Sequence, residues 1–304
     1  MGKATKTAPF SYAKKKKEKW KDNFTSYLFL VPALSFLFIF MLVPIFYVFY
    51  LSFHRYRLPE KPIFIGFNNY IRMFQDDVFL KSIINTIIYT ISSVTLGVFL
   101  ALIVAYLLNR RFRGKKFFKV FYFLPTVTSE VIIAMIFFWM FDHNMGIINY
   151  LLPKIGILDP PSWLLDPFWA MAVLILVGAW RGVSYNIPIL LSALENVPLS
   201  LYEAADLDGA NAFQKFKNIS IPCVKPMILY SVVMGVIGSF QVVAIVDVLT
   251  DGGPKNSTLV SLKYIWQQSF EFNYIGYGAT LSFALLPILI FITWLSFKIS
   301  RRGE

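Results

Sequence analysis

The sequence predicts an all-α protein that crosses a membrane six times, and three observations support this. Of the 304 residues, 57% are hydrophobic and only 15% are charged, whereas soluble domains carry about 25% charged residues. Six apolar segments each reach the ~20 residues that a helix needs to cross about 30 Å of hydrocarbon. None of these segments alternates apolar and polar residues with the period of two that is typical of membrane strands.

The six predicted spans divide the chain into a short tail and one membrane domain. In chain order the spans cover Tyr27 to Phe53, Ser82 to Asn109, Val120 to Phe141, Pro167 to Leu194, Ile219 to Val246 and Phe272 to Phe297. Residues 1–25 form a lysine-rich tail, and residues 26–304 form the membrane domain. Inside the spans, charge is limited to Glu130, Arg181 and Lys225.

The distribution of Lys and Arg predicts that both termini face the cytoplasm. Short cytoplasmic loops carry the excess of basic residues in polytopic membrane proteins. The two tails and the loops after spans two and four hold nineteen Lys and Arg residues, and the three other loops hold eight. Five of those eight lie between His54 and Lys81, which makes that loop the weakest part of the prediction. The count places the polar loop of residues 198–222 in the cytoplasm.

Composition and motifs exclude several other functions. The net charge of +12 does not indicate nucleic-acid binding, because the basic residues lie in blocks beside the apolar spans. A single cysteine, Cys223, allows no internal disulfide. His54 and His143 have no ligand cluster at metal-binding spacing, so no metal site is predicted. The chain has no GxxxxGK[ST] loop, and we expect it to bind no ATP and no cofactor of its own.

The polar loop of residues 198–222 is predicted to contain two short helices. Ser200 followed by Glu203 fits a capping box at the start of the first helix. Gly209 permits a turn, and the second helix runs over residues 212–217. A polar helical pair between two membrane spans indicates a docking element for another protein.

This loop resembles the cytoplasmic coupling motif of binding-protein-dependent ABC importer permeases. That motif reads EAA, three residues, Gly, nine residues and Ile-x-Leu-Pro. The chain has Glu203-Ala204-Ala205, Gly209 and Ile219-Ser220-Ile221-Pro222 in the same register, with Ile221 in place of Leu. Other segments are similar to the maltose and glycerol-phosphate type, the carbohydrate-uptake branch: Gly66 to Tyr70, Asn85-Thr86, Gly146 to Tyr150, Leu249 to Pro254 and Gly276 to Ala279. The resemblance covers nearly all of the chain from Tyr27 to Arg302.

The resemblance implies a fold, a set of partners and a mechanism. The chain is expected to be a type I ABC importer permease in a bacterial plasma (inner) membrane, surrounded by lipid and catalysing no reaction itself. Its expected partners are a second permease, two ATPase subunits that bind ATP and Mg, and an extracellular solute-binding protein that delivers a sugar or oligosaccharide. Which saccharide or polyol phosphate is carried stays open, as does whether the second permease is a different chain or a second copy.

The resemblance also assigns residues to the contact with the ATPase, which closes on ATP binding and pulls the coupling helices together. Glu203 is expected to pair with a basic residue of the ATPase. Ala204 and Ala205 provide a close-fitting small face, and Gly209 allows the bend. The full coupling set is Glu203, Ala204, Ala205, Asp206, Gly209 and Phe213.

Glu130 and Arg181 are candidates for a polar pathway, because ionisable residues inside spans are functional hypotheses by default. At 1.5 Å per residue, Glu130 lies about 15 Å from one side and Arg181 about 21 Å from the other. The two residues therefore lie at similar heights, and they pair with each other or both face an aqueous pathway. The alternative is that each snorkels or pairs with the second permease.

A site for sugar rings needs aromatic platforms and hydrogen-bonding groups. Residues of these types occur in spans two, four and five. The further pathway candidates are Asn85, Tyr89, Trp180, Tyr185, Asn186 and Gln241. The same residue types also serve helix packing in membranes.

Three other classes of protein compete with the importer permease. A secondary transporter or channel subunit that works without an ATPase needs no coupling helix and often shows internal repeats, which the sequence lacks. A membrane-embedded enzyme needs a nucleophile, dyad or metal cluster near an interface, and the sequence shows none. A sensory or scaffold subunit with the same docking helix stays open. Uptake by the chain alone would favour the first of these.

Overall fold

The computed structural model describes residues 27–109 and 114–301, so the predicted tail of residues 1–25 lies outside the described residues. The described part is helical apart from loops and one antiparallel pair of strands, β1 (His54–Arg55) and β2 (Ile63–Phe64). The helices are α1 (Tyr27–Ser52), α2 (Asn68–Phe74), α3 (Asp77–Asn109), α4 (Lys115–Val127), α5 (Glu130–Met140), α6 (Ile147–Leu151), α7 (Pro167–Glu195), α8 (Leu199–Leu207), α9 (Ala212–Ser239), α10 (Ala244–Leu249), α11 (Ser261–Trp266) and α12 (Ile275–Arg301).

Five helices in the described ranges, α1, α3, α7, α9 and α12, are long and apolar enough to cross a membrane individually. The third predicted span is not one straight helix, because α4 and α5 meet at an angle of 108°. Thr128 and Ser129 both have ψ near 138° and form the break. Pro125, within the last turn of α4, lacks the N–H that would continue the helical ladder. The prediction of six spans is therefore confirmed as five helices and one broken pair.

The fifth predicted span differs at both ends from its observed helix. It was expected to run from Ile219 to Val246, whereas α9 ends at Ser239, after two glycines in its last two turns. Glycine disfavours helix continuation. At its other end, α9 begins at Ala212, so the predicted second loop helix and the fifth span are one continuous helix. A π-helical turn, Phe216–Ser220, joins the two parts.

The capping box predicted at Ser200 and Glu203 is absent. Pro198 is the N-cap residue of α8, with ψ of 127°, and no side chain caps the helix. Ser200 consequently lies inside the first turn. A capping box occurs at the start of α9, where the Gln214 N–H donates to Asn211 Oδ1 at 2.9 Å and the Asn211 N–H donates to Gln214 Oε1 at 2.7 Å.

The two helices of the loop are separated by the predicted turn at Gly209, where φ is +74°. A side chain is strained in this left-handed region, and glycine is not. The turn lets α8 and the start of α9 fold back against each other. Tyr202 Oη and Ser220 Oγ, 2.9 Å apart, hold the two helices together.

Helix α3 contributes to all three apolar clusters of the described bundle and packs along α7. One cluster joins α3 to α5, α7 and residues 242–249, the second joins it to α7 and α9, and the third joins it to α2, residues 259–265 and α12. Representative fully buried members are Leu174, Leu190 and Leu281. Within a membrane such clusters stabilise the bundle by close packing, because lipid tails are as apolar as leucine.

The helices α3 and α7 cross at a pair of glycines. A Cβ on Gly97 would lie 3.2 Å from the carbonyl oxygen of Ala179, and a Cβ on Gly182 would lie 3.7 Å from the Cα of Gly97. Small residues at such a crossing let the two backbones approach closely. This contact positions the polar face of α7 against α3.

The bundle has two distinct ends, which we call the coupling-loop end and the opposite end. The coupling-loop end is where α3 finishes, and there the Tyr106 hydroxyl donates to the carbonyl oxygen of Ala212 at 3.0 Å. The opposite end is where α3 begins, and there Lys81 and Asn85 donate to carbonyl groups of residues 255–259. Helix α1 stands at the side, with no buried residue before Leu51. It contacts α12 through Phe49 and Phe283, whose ring centroids are 5.0 Å apart.

Candidate substrate pathway and coupling surface

A cavity of about 660 Å³ lies between α3, α7, α9 and the break that separates α4 from α5. Its walls combine glycines, aliphatic side chains and a few polar groups. Six of the eight predicted pathway residues line it, namely Tyr89, Glu130, Arg181, Tyr185, Asn186 and Gln241. This volume falls within the roughly 300–1,000 Å³ of small-molecule sites.

The predicted pairing of Glu130 and Arg181 is confirmed, with Arg181 Nη1 2.7 Å from Glu130 Oε1. Their side chains keep 40% and 32% of their surface exposed, both toward the cavity region. Glu130 is the first residue of α5, where the positive end of the helix dipole also favours a carboxylate. The pair therefore links α7 to the second half of the broken span. Its role in transport stays a prediction.

Tyr89 lies in a slot that a glycine of α7 leaves open. The side chain is 4% exposed, and a Cβ on Gly178 would come within 2.4 Å of the Tyr89 hydroxyl oxygen. Sequence reasoning selected Tyr89 but missed Gly178. The available signal was the series Gly178 and Gly182 on α7, since small residues four apart mark close helix contacts in membranes.

Asn186 lines the cavity and makes one of the hydrogen bonds that its side chain can form. Its Nδ2 donates to the carbonyl oxygen of Gly182 at 2.8 Å. Its Oδ1 is buried and, within the described residues, accepts no hydrogen bond. Tyr185 and Gln241 lie on the same cavity wall with exposed side chains. The cavity therefore offers both aromatic surface and polar groups.

Two predicted pathway residues, Asn85 and Trp180, do not line the cavity. The Asn85 amide donates to the carbonyl oxygens of Asn256 and Leu259, at 2.8 and 2.9 Å, and so ties α3 to the loop that follows α10. Trp180 packs edge-on against Phe137, with 5.4 Å between the ring centroids, and keeps 42% of its surface exposed. Both residues make contacts of the kind that the packing alternative predicts, and a role of either in the pathway stays a prediction.

The coupling surface at α8 and the start of α9 is exposed. Of the six predicted coupling residues, Ala205 is half-buried, and the others are exposed: Glu203, Ala204, Asp206, Gly209 and Phe213. Phe213 is 70% exposed, and the neighbouring Leu207, which sequence reasoning missed, is 91% exposed. Two large apolar side chains beside an exposed carboxylate are typical of a protein-binding surface.

A buried lysine organises the opposite end of the bundle, and sequence reasoning missed it. Lys263 is 1% exposed. Its Nζ pairs with Asp247 and lies 2.8 Å from Asp251 Oδ1 and 3.2 Å from Glu271 Oε1. Burial alone would lower the pKa of Lys263, but the hydrogen bonds to the three carboxylates outweigh burial and raise the pKa above its ordinary value. The lysine stays charged and holds α10, α11 and the following turn together.

A helical membrane bundle with a polar cavity among its spans and an exposed helical pair between two of them defines a membrane transport subunit. Among the described residues, no group of three or more His, Cys, Asp or Glu side chains could hold a metal ion.

The chain belongs to the family of binding-protein-dependent transport system inner membrane components, which matches residues 93–302. The protein is therefore a multi-pass inner-membrane permease, and the expected family is confirmed.

The chain is similar over nearly its whole length to several permeases. It is 36% identical to the lactose transport system permease protein of Rhizobium radiobacter, over 91% of this chain and 94% of the relative. It is 34% identical to the arabinooligosaccharides transport system permease protein of Bacillus subtilis, over 94% and 93%. It is 32% identical to the trehalose/maltose transport system permease protein of Thermococcus litoralis, over 93% and 94%.

The fold is also that of a solved importer. A bacterial alginate ABC transporter, in complex with a periplasmic protein that holds an alginate pentasaccharide, contains a chain of the same architecture. The TM-score is 0.82 at 23% identity, over 94% of this chain and 96% of that chain. This likeness confirms the predicted fold class.

Proposed function

We propose that this chain is the permease subunit of an ATP-driven, binding-protein-dependent importer of sugars or oligosaccharides. The observation that carries the proposal is the path of α9. This helix begins in the exposed coupling loop and ends at Ser239, which lines the cavity. The relatives that transport lactose, arabinooligosaccharides and trehalose or maltose support a saccharide as the substrate.

The coupling loop is the proposed contact with a separate ATPase subunit. Glu203 offers an exposed carboxylate and Phe213 an exposed ring, while Asp206 pairs with Lys215 and joins α8 to the start of α9. ATP and Mg bind to two partner ATPase subunits, and this chain performs no hydrolysis. Closure of the ATPase dimer pulls the loop, and α9 transmits the movement to the cavity. By the positive-inside count, this loop and both termini lie in the cytoplasm.

The cavity is the proposed part of the pathway that this chain contributes, and a second permease completes it. Tyr185 offers an aromatic face, while Arg181, Asn186 and Gln241 offer hydrogen-bonding groups. Sugar rings present apolar faces and hydroxyl rims, and this combination suits both. An extracellular solute-binding protein delivers the saccharide at the opposite end of the bundle.

The proposal is tested by reconstituting the chain with its second permease and its ATPase in liposomes. Uptake of the saccharide that the binding protein carries is expected to require both ATP and the binding protein. A secondary transporter or channel would instead take up the saccharide without ATP and without the binding protein. Uptake by the chain alone would overturn the proposal.

The substitution Glu203→Lys tests the coupling surface. Reversing this charge is expected to lower ATP-driven uptake by at least about tenfold, because the docking carboxylate would then repel a basic partner. Delivery of the saccharide by the binding protein is expected to persist, since the proposed contact with the binding protein lies at the end of the bundle opposite to Glu203. The measurements are uptake, ATP hydrolysis and binding-protein capture on the same liposomes.

The matched control is Asp208→Lys, which makes the same charge reversal in the same loop outside the predicted coupling set. Uptake by Asp208→Lys is expected to stay within about twofold of the unmodified complex, as for most exposed substitutions. Equal loss in both variants would assign the effect to overall charge and would contradict the specific role of Glu203.

A further inference from the structure

The cavity contains one acidic and one basic side chain, whose opposite charges offset each other. Among the described residues that line it, Glu130 and Arg181 are the charged ones, and their side chains are in contact at 2.7 Å. A guanidinium that already binds a carboxylate offers little attraction to a second anion. An anionic ligand would also have to compete with the Glu130 carboxylate for the Arg181 guanidinium.

A second observation concerns a hydrogen bond that Asn186, one of the lining residues, leaves unmade among the described residues. The Asn186 amide cannot be turned around, because its Nδ2 donates to the carbonyl oxygen of Gly182, which can only accept. Its Oδ1, which is buried and unpartnered among the described residues, therefore needs a donor. A hydroxyl group supplies one, whereas an ionised carboxylate or phosphate can only accept.

The remaining walls favour the apolar face of a sugar ring. Val94, Val98, Met234 and Ile237 line the cavity together with several glycines. Glycines leave backbone surface open, so a flat ligand can approach the helices closely. These walls carry no charge that could compensate an anion.

Resting on the proposed function, we propose that this cavity selects uncharged, hydroxyl-rich saccharides and rejects acidic ones such as uronates. In this proposal Glu130 is a specificity-determining residue, because its carboxylate occupies Arg181 and withholds it from anionic substrates. Asn186 Oδ1 favours a ligand with a hydroxyl donor, which neutral and acidic saccharides both carry, so the discrimination against acids rests on the Glu130–Arg181 pair. This selection by the cavity is separate from the selection of the saccharide by the binding protein.

The test compares two disaccharides, α-1,4-galactobiose and α-1,4-digalacturonate, in equilibrium binding to the purified complex without binding protein. They share ring stereochemistry and linkage and differ at C6, which is a hydroxymethyl group in the first and a carboxylate in the second. The unmodified complex is expected to favour galactobiose. Glu130→Gln frees Arg181 and is expected to strengthen digalacturonate binding by about tenfold, the effect of roughly one charge-assisted hydrogen bond. The double variant Glu130→Gln/Arg181→Gln is expected to lose that gain.

Two further variants make the test decisive. The exchange Glu130→Arg/Arg181→Glu rebuilds the pair in reverse and is expected to restore the preference for galactobiose. Glu60→Gln removes an exposed carboxylate far along the chain and is expected to leave both affinities unchanged. Thermal unfolding of each variant identifies any that fail to fold.

Several results would overturn the inference. These are binding of both probes with equal affinity by the unmodified complex, no gain for digalacturonate in Glu130→Gln, or no galactobiose binding at millimolar concentration. ATP-driven uptake is measured on the same preparations. Uptake without any charge preference contradicts this inference alone, whereas uptake that needs no ATP contradicts the proposed function.

Discussion

Asp76 joins three segments at the opposite end of the bundle. Its Oδ1 accepts the backbone N–H groups of Val78 and Phe79 at 3.1 and 3.0 Å, which caps the start of α3. Its Oδ2 accepts the hydroxyls of Tyr264 and Tyr277 at 2.7 and 2.6 Å. Burial alone would raise the pKa of Asp76, but these four hydrogen bonds outweigh burial and hold the pKa below its ordinary value of 3.8.

This carboxylate is expected to make stability depend on pH. Because the folded pKa is lower than the unfolded one, Asp76 stabilises the fold above about pH 3.8, and the contribution is lost as the pH falls through the folded pKa. Asp76→Asn should lower the free energy of unfolding by about 2 kcal/mol at neutral pH. Thermal unfolding in detergent measures the difference, which should shrink below about pH 4.

The neighbouring acid provides the control for this prediction. Asp77 is exposed, so Asp77→Asn is expected to change the unfolding temperature little at any pH. A constant difference between the unmodified protein and Asp76→Asn across the whole pH range would show that the carboxylate charge contributes nothing.

At the scale of residues, the sequence predicts contacts that follow from the depth of a residue along its span. It does not predict contacts that form only when distant segments fold together. Glu130 and Arg181 were paired by counting residues from span ends, and that pairing is present. A polar residue inside a span marks function, which predicts Asn85 on the pathway, whereas its partners in the fold are carbonyl groups 171 and 174 positions away. Lys263 was missed for the same reason, since its three carboxylates meet only after folding.

At the scale of elements, the broken third span shows the limit of apolar length as a signal. The composition of residues 120–141 predicts one helix, and hydropathy does not encode the 108° bend. The signals for the bend were Pro125 and the Thr128-Ser129 pair, and proline also occurs inside α7 and α12 without a break. What separates these cases is tertiary packing, which holds Glu130 against Arg181 and fixes the start of α5.

Two glycines on the cavity wall give a matched test of helix packing. Gly178→Ala places a Cβ within 2.4 Å of the Tyr89 hydroxyl oxygen, so the ring must move. Overpacking of this kind costs about 1–3 kcal/mol. We expect a lower unfolding temperature and reduced uptake, measured by thermal unfolding in detergent and by transport in liposomes.

Gly238→Ala is the control, since a Cβ at Gly238 meets no atom within 4 Å. Alanine is the better helix former by about 1 kcal/mol, so Gly238→Ala should hold or raise the unfolding temperature. If both substitutions had the same effect, the slot for Tyr89 would not be a packing constraint.

At the scale of the whole molecule, the two ends of the bundle face opposite sides of the membrane. The coupling loop lies at one end, and the Asp76 and Lys263 networks lie at the other. The Lys and Arg count predicts that the coupling-loop end is cytoplasmic. Orientation stays a prediction from the sequence, which the basic residues allow because they act during insertion, before any packing exists. The inter-helix cavity was not readable, because it depends on how four elements meet.

Cysteine labelling of oriented membrane vesicles tests this orientation. The single native cysteine, Cys223, is exposed and is first replaced by serine. Asp208→Cys, in the coupling loop, is expected to react with a membrane-impermeant maleimide only in inside-out vesicles. Asp159→Cys, in the exposed loop before α7, is expected to react only in right-side-out vesicles. The reverse pattern would place the termini outside.

The continuity of α9 has a mechanical consequence. A helix of 28 residues is about 42 Å long. Its buried residues are Ser220, Val224 and Ser231, and the middle one, Val224, lies 12 residues from Ala212 and 15 from Ser239. If the rod pivots there, its arms measure about 18 and 22 Å. A tilt then moves the two ends in opposite directions, and the displacement of the Ser239 end is about 1.2 times that of the Ala212 end. In the proposed function, an inward displacement of the coupling loop would then appear as an outward displacement of similar size at the cavity wall.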